Sequence, residues 1–449
     1  MANEMNQPPA ARRPPLALFV PLVRHHQETM NEPQITAGSS TTPSDHARSF
    51  VQKPFLDPSF LPRHQSIRVH GKKLVTALHL DHDNIISASD DHTVNIYDTQ
   101  TAQLKHTLLG HTGGVWAIQY ADGQLVTGST DKTVRVWDVQ TAKCTHVFMG
   151  HNGTVRCLKI VLPQRRGNGN YVPEQGVIVT GSRDKKLYVW KLPSRGTTYL
   201  PVETAQDGIA GAKALNCDNP YYLRKMEGHT HSIRSLAADG DIAVSGSYDS
   251  TVRVWTISTG ECLWMLKGHA AKVYSVVCDP VKHRVYSGSM DHTIKVWDLV
   301  DGTLLSTLEG IRLYLAFLSV GHKSLIGLME LSTSLVSAAA DAQVRIWNTD
   351  TLECEYVIDL NDAVVNCFHV DEDKLICGSR KGVMVWDLKT GKLIRTLLDG
   401  ISSAWMVKFD DRRCVAAVQR DGVCSIEVFS FVEDAQSSGT LREAERSKL

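Results

Sequence analysis

One pattern recurs eight times along this chain, and few folds accommodate it. SASDDHTVNIYD (87–98), TGSTDKTVRVWD (127–138), TGSRDKKLYVWK (180–191), SGSYDSTVRVWT (245–256), SGSMDHTIKVWD (287–298) and SAAADAQVRIWN (337–348) are full copies. CGSRKGVMVWD (377–387) is a shortened copy and AAVQRDGVCSIEVFSF (416–431) a degenerate one. Six of the nine tryptophans, Trp137, Trp190, Trp255, Trp297, Trp347 and Trp386, hold the same place in the unit; Tyr97 holds it in the first. Successive aromatic places lie 40, 53, 65, 42, 50 and 39 residues apart. A base period of about 40 with insertions matches a four-stranded unit, and eight units predict an all-β, eight-bladed propeller.

Each unit reads as strand chemistry, with short Val/Ile/Leu runs between polar turns. Gly110-His111, Gly150-His151, Gly228-His229 and Gly268-His269 each precede a unit, and Asp131, Asp184, Asp249 and Asp291 sit in its tight turn. The units resemble WD40 repeats. That resemblance implies a buried hydrogen-bond chain of His, strand Ser or Thr, turn Asp and Trp indole in each blade. Buried polar groups have to be paired, so these His and Asp residues are expected to be structural rather than catalytic.

Residues 1–54 are rich in Pro, Gln, Ser, Thr and His and are read as a disordered, low-complexity region. Residues 55–65 read as a linker, 66–431 as the propeller and 432–449 as a polar tail. Closure removes sheet edges, so residues near Gln65 to Val69 are expected to supply the outer strand of the eighth blade. Residues 162–176 and 193–222 read as polar surface loops. IRLYLAFLSVG (311–321) is different: it is apolar, and deleting it joins Gly310 to His322 and shortens the spacing from 50 to 39. It is read as a retained intron or mispredicted splice, to be found as an exposed apolar loop.

Composition narrows the function. Lys+Arg and Asp+Glu are both 48, which argues against a global polyanion binder and leaves room for a local basic patch. The longest apolar runs, Leu16–Val23 and 311–321, fall far short of a bilayer span, and no signal-peptide cleavage site follows the first. An intracellular protein of nucleus or cytoplasm is expected, with no membrane and no nucleic-acid partner. The ten cysteines form no C-x-x-C pair and read as buried thiols in a reducing compartment, without a disulfide framework or a metal. Phosphate-loop, zinc-protease and nucleophile-elbow motifs are absent, and Gly167-Asn168-Gly169 lacks a strand–helix context. An interaction module without enzymatic activity or cofactor is expected.

Two places per unit can reach one face around the central channel. The start of the strand after Gly-His gives Thr76, Trp116, Arg156, Arg234, Tyr274, Gly327, Asn366 and Trp405. The residue before the turn Asp gives Asp90, Thr130, Arg183, Tyr248, Met290, Ala340, Arg380 and Arg420. Arg156, Arg183 and Arg234 therefore converge, with Tyr248 adjacent and Trp116, Tyr274, Met290 and Trp405 as apolar neighbours. Guanidiniums that converge repel one another unless an anion joins them, and phosphate suits bidentate Arg. The pattern reads as a phosphopeptide site beside an apolar groove.

GHTGGVWAIQYADGQLVTGSTDKTVRVWD (110–138), GHNGTVRCLKIV (150–161), TGSRDKKLYVW (180–190), DDRRCVAAVQRDGVCSIEVFSF (410–431) and FLDPSFLPRHQSIRVHG (55–71) resemble segments of the cell-division-control F-box/WD-repeat proteins, nearest to the fungal members. The resemblance covers residues 55–431. It implies a substrate receptor of an SCF-type ubiquitin ligase whose propeller binds degrons of the form apolar–apolar–phosphothreonine–proline. By motif, Arg156, Arg183, Arg234 and Tyr248 would hold the phosphate. Trp116, Thr130 and Thr154 would receive the proline, and Tyr274, Met290 and Trp405 the apolar residues. Phosphorylated protein substrates are the implied partners. The family's F-box, a leucine-rich helical segment, is not found in residues 1–54, so an SCF adaptor is expected as a partner only if that segment is restored. The competing readings are a scaffold for an unphosphorylated partner and, with no catalytic constellation behind it, a propeller hydrolase.

Overall fold

The computed structural model describes residues 54–165, 169–200, 219–308, 322–361 and 363–432. The expected disorder before residue 54, the 311–321 segment and nearly all of the tail lie outside the described residues. Eight four-stranded antiparallel sheets form the propeller. Blade 3 serves as the example: its strands are Val155–Val161, Val177–Ser182, Leu187–Lys191 and Tyr222–Met226, from the channel outward. Second strands such as Val177–Ser182 and Ile242–Ser247 are buried along their whole length, because neighbouring blades cover both faces. The glycine between the two hydroxyl residues is where the next blade presses in. A Cβ on Gly181 would stand 2.7 Å from Cys157 Sγ and 3.0 Å from Ile233 of blade 4.

The polar chain forms in five blades with one geometry. In blade 2, His111 meets Asp131 at 2.7 Å and Thr127 Oγ1 at 2.7 Å, and the Trp137 indole donates to the same hydroxyl at 2.9 Å. Blade 4 repeats this with His229, Asp249, Ser245 and Trp255, every contact at 2.8 Å. Blades 3 and 5 do likewise through His151 and His269. His322, separated from Gly310 by eleven residues in sequence, still takes its place, 3.0 Å from Asp341 and 2.9 Å from Ser337. Blade 1 keeps His70, Ser87 and Asp91, with Tyr97 in the Trp place. Burial alone would raise the turn aspartates; hydrogen bonds from His70 and Thr93 outweigh it and bring Asp91 down to about 2. Blade 7 carries Cys377 where the hydroxyl belongs, and the Trp386 indole N–H has no partner among the described residues.

Closure occurs as the sequence requires. Arg63–Arg68 pairs antiparallel with Val423–Ser430, placing Gln65 opposite Val428 and Ile67 opposite Ile426. The fully buried Glu427 carboxylate accepts from Ser425 Oγ at 2.6 Å, His64 Nε2 at 2.7 Å and Ser66 Oγ at 2.9 Å. The strand starts before the boundary read at residue 66. Phe55, inside the stretch read as linker, is itself buried, stacking on Phe431 at 3.7 Å beneath the Lys374 ammonium.

The two insertions are more than surface loops. Gln164–Arg165 and Tyr171–Val172 pair as a small hairpin. The segment after blade 3 turns back over blade 2: Tyr199 N–H donates to Thr145 O at 2.8 Å, and Val147 N–H donates to Tyr199 O at 3.0 Å. That covers part of an open sheet edge. Nine cysteines are described, all free, and Cys367, Cys377, Cys414 and Cys424 are buried. Among the described residues no helix is long and apolar enough to cross a membrane.

Candidate functional site

A β-bulge sits at the same place in all eight inner strands. The pairing slips between Val75 and Ala77, Val115 and Ala117, Val155 and Cys157, and Ile233 and Ser235. It slips again between Val273 and Ser275, Ile326 and Leu328, Val365 and Cys367, and Ala404 and Met406. The skipped residues are the first set singled out from the sequence, Thr76 to Trp405. A bulge breaks the alternation of side chains and re-aims one of them. The second set is tied to the same level by backbone: Thr130 N–H donates to Gly114 O at 2.9 Å, Arg183 to Thr154 O at 2.9 Å, Tyr248 to Ser232 O at 3.0 Å and Met290 to Lys272 O at 2.9 Å. Each bond joins the residue before the turn Asp to the loop before the inner strand. Both sets therefore open on one face.

Blades 2 to 5 form a continuous arc there. The Arg156 guanidinium lies 4.3 Å from the Trp116 ring centroid, and Arg234 lies 6.0 Å from the Tyr274 ring. Tyr248 and Tyr274 stand 5.1 Å apart. Burial first, and then the positive charges of Arg234 and Arg183, push Arg156 down to about 10. Burial, followed by the Tyr248 hydroxyl beside it, pushes Tyr274 up. Among the described residues the guanidiniums of Arg156, Arg183 and Arg234 form no ion pair, so the pairing with a neighbouring Asp that could have explained them is absent. Three cations share one electrostatic environment beside an aromatic wall. Such a site can take an anion flanked by apolar groups.

The remaining predicted positions divide. Thr130 and Trp116 belong to blade 2 and Thr154 to the loop before the inner strand of blade 3; Met290, 47% exposed, bonds through its backbone to Lys272, two residues before Tyr274. Trp405 belongs to blade 8, separated from Trp116 by blade 1, and its buried indole N–H has no partner among the described residues. Thr76 does not reach the face: it is buried and donates to Val115 O and Ala88 O, tying blade 1 to blade 2. Asn366 ties blade 7 to blade 8 through Ser403 at 2.7 Å. Lys272 was missed; its ammonium lies 5.1 Å from the Tyr248 ring centroid. It occupies the loop place of Gly114, Thr154 and Ser232, which the repeat alignment could have picked out.

Residues 62–98, 102–138 and 142–191 match the family model described as WD domain, G-beta repeat. The chain is a WD40-repeat protein. In this WD40-repeat protein, residues 236–334 also match the first β-propeller of WD repeat-containing protein 75. It is 42% identical over 397 residues to Cell division control protein 4 of Candida albicans, covering 86% of this chain and 55% of that protein. It is 42% identical over 395 residues to WD repeat-containing protein pop2 of Schizosaccharomyces pombe, covering 87% and 54%. Cell division control protein 4 of Saccharomyces cerevisiae is 36% identical over 398 residues, with 85% and 49% covered. The chain thus spans about half the length of these relatives. Among solved structures, the computationally designed Ika8 protein superimposes with a TM-score of 0.62 at 27% identity, covering 81% of this chain and 98% of that one.

Proposed function

We propose that this propeller is the substrate-recognition part of an SCF-type ubiquitin ligase and binds phosphothreonine-proline degrons at the channel mouth of blades 2 to 5. The observation that carries this is the set of three arginines, Arg156 lying within the field of the other two, with no carboxylate among the described residues to pair them. A buried or half-buried cation without a counterion is costly, and a phosphate dianion joined by charge-assisted hydrogen bonds relieves it. The aromatic surfaces of Trp116 and Tyr274 flank that point on either side, which suits a proline after the phosphothreonine and apolar residues before it. Similarity to two proteins named Cell division control protein 4 supports the same reading. The ligase-recruiting role belongs to the whole assembly, and the proposal assigns recognition alone to these blades.

A phosphopeptide carrying a photo-crosslinker on the residue before the phosphothreonine tests the assignment. Labelling of the stretch holding Tyr274 and Met290 is expected. Labelling confined to the loops at the opposite end of the strands would overturn it.

A further inference from the structure

The inner strands hold a second cluster of charge, deeper than the arginines. Three residues beyond the bulge, each inner strand carries one residue at a common level: His79, Gln119, Lys159, Ala237, Val277, Glu330, His369 and Lys408. In three blades its side chain accepts from the next blade's inner strand: Ile160 N–H donates to Gln119 Oε1 at 2.6 Å, Val370 N–H to Glu330 Oε2 at 3.1 Å and Phe409 N–H to His369 Nδ1 at 3.3 Å. At this level blades 2, 6 and 7 therefore present acceptors to their neighbours. Blades 3 and 8 carry Lys159 and Lys408, which only donate.

Lys408 Nζ lies 3.4 Å from Glu330 Oε1, although blade 7 stands between their blades. Side chains from non-adjacent blades meet only by reaching into the channel. Each keeps about a third of its side-chain surface accessible there, 33% and 32%, so the channel has room for more than these groups. Among the described residues the Lys159 ammonium has no hydrogen-bond partner. Burial first, and then the Lys408 charge, push Lys159 down, so the two ammonium groups act on each other. His369 is kept neutral, pushed down to about 3 by burial and then by Lys408 and Lys374. The remaining members of the ring, His79, Gln119, Ala237 and Val277, add no acid. Two ammonium groups against one carboxylate leave an uncompensated positive charge inside a narrow channel.

We propose that the central channel holds a small inorganic anion of the halide class between the ammonium groups of Lys159 and Lys408. A compact anion gives the Lys159 ammonium an acceptor and neutralises the excess charge. This site stands independently of the phosphopeptide proposal, three residues deeper along the inner strands.

Crystals of the full chain grown or soaked with bromide in place of chloride test it by anomalous diffraction. A bromide peak within hydrogen-bonding reach of both lysines is expected. The melting temperature of the wild type should be about 2 °C higher in chloride than in a bulky carboxylate salt of equal ionic strength, since a ligand bound only to the folded state stabilises it. Lys159→Met should abolish that difference. A channel filled with water alone, a bromide peak confined to Arg156, Arg183 and Arg234, or a wild-type melting temperature indifferent to the anion would each overturn the proposal. The diffraction arm uses the wild type and stands even if the variant fails to fold.

Discussion

Arg156 carries the recognition account at the scale of single residues. It occupies the bulge of blade 3, lies against Trp116, and has its pKa lowered by burial and then by the charges of two further arginines. Truncating a desolvated charge that holds an ionised partner costs about 2–5 kcal/mol. Arg156→Ala, Arg183→Ala and Arg234→Ala should therefore each weaken phosphopeptide binding by at least about 30-fold in a fluorescence-anisotropy titration. Arg156→Lys keeps a charge but loses the planar fork, and should recover only part of that loss. Arg380→Ala and Arg420→Ala, on blades 7 and 8, are the controls and should change affinity far less. If the controls lose as much as the blade 3 and 4 variants, the phosphate lies elsewhere. These positions were legible because the repeat turns a one-dimensional period into equivalent places on eight blades. The bulge that aims them was not, since it is a slip in hydrogen-bond register and leaves no residue type of its own.

At the scale of the blade, the shared hydroxyl is the weak link. Ser245 Oγ meets both His229 and Trp255 at 2.8 Å. Ser245→Ala leaves two buried polar groups without that partner, each worth about 1–3 kcal/mol, so unfolding in denaturant should show a loss of roughly 2–6 kcal/mol. Cys377→Ser makes the opposite change in blade 7, giving Trp386 an oxygen acceptor, and should stabilise by about 0.5–1.5 kcal/mol. The same chain sets the acid limit of the fold. Folded pKa values of Asp91, Asp131, Asp249 and Asp291 lie below those of free aspartate, so their contribution is present above about pH 4 and is lost as pH falls toward 2. His111 and His322, lowered mainly by burial, act in the same direction below about pH 6.5, because the unfolded chain takes up the protons first. Melting temperature should thus be level above neutrality, decline below about pH 6.5 and fall steeply below about pH 4. A melting temperature that rises on acidification would contradict this arrangement. The His and turn Asp of blades 2 to 5 and the recurring Trp could be placed from spacing, and the resemblance to WD40 repeats implied that they join in one chain. The clasp of Tyr199 onto blade 2 and the burial of Phe55 could not, because each depends on where a non-repeating segment travels after it leaves its own blade.

The molecule as a whole is held closed by one pair of strands distant in sequence. Arg63–Arg68 completes blade 8, and its His64 and Ser66 supply two of the three hydrogen bonds to the buried Glu427 carboxylate. Hydrogen bonds to a charged group are worth about 1.5–3 kcal/mol each, so His64→Ala with Ser66→Ala should lower global stability by roughly 3 kcal/mol or more while leaving far blades such as 3 and 4 unchanged in hydrogen exchange until global unfolding. Closure was legible because a ring must pair its ends; the channel pair of Lys408 and Glu330 was not, because its meeting depends on how far side chains on non-adjacent blades reach. With the ring intact, the arc on blades 2 to 5 is the proposed receptor, and its defining property would be a preference for phosphate. The direct measurement is a calorimetric titration of one peptide, two apolar residues followed by threonine and proline, in matched phosphorylated and unphosphorylated forms. The account predicts tight binding of the phosphorylated form, a loss of at least about 100-fold without the phosphate, and removal of that difference by substituting all three arginines. Equal affinity for the two peptides, or a preference that survives the triple substitution, would contradict it and favour a scaffold that reads an unphosphorylated partner.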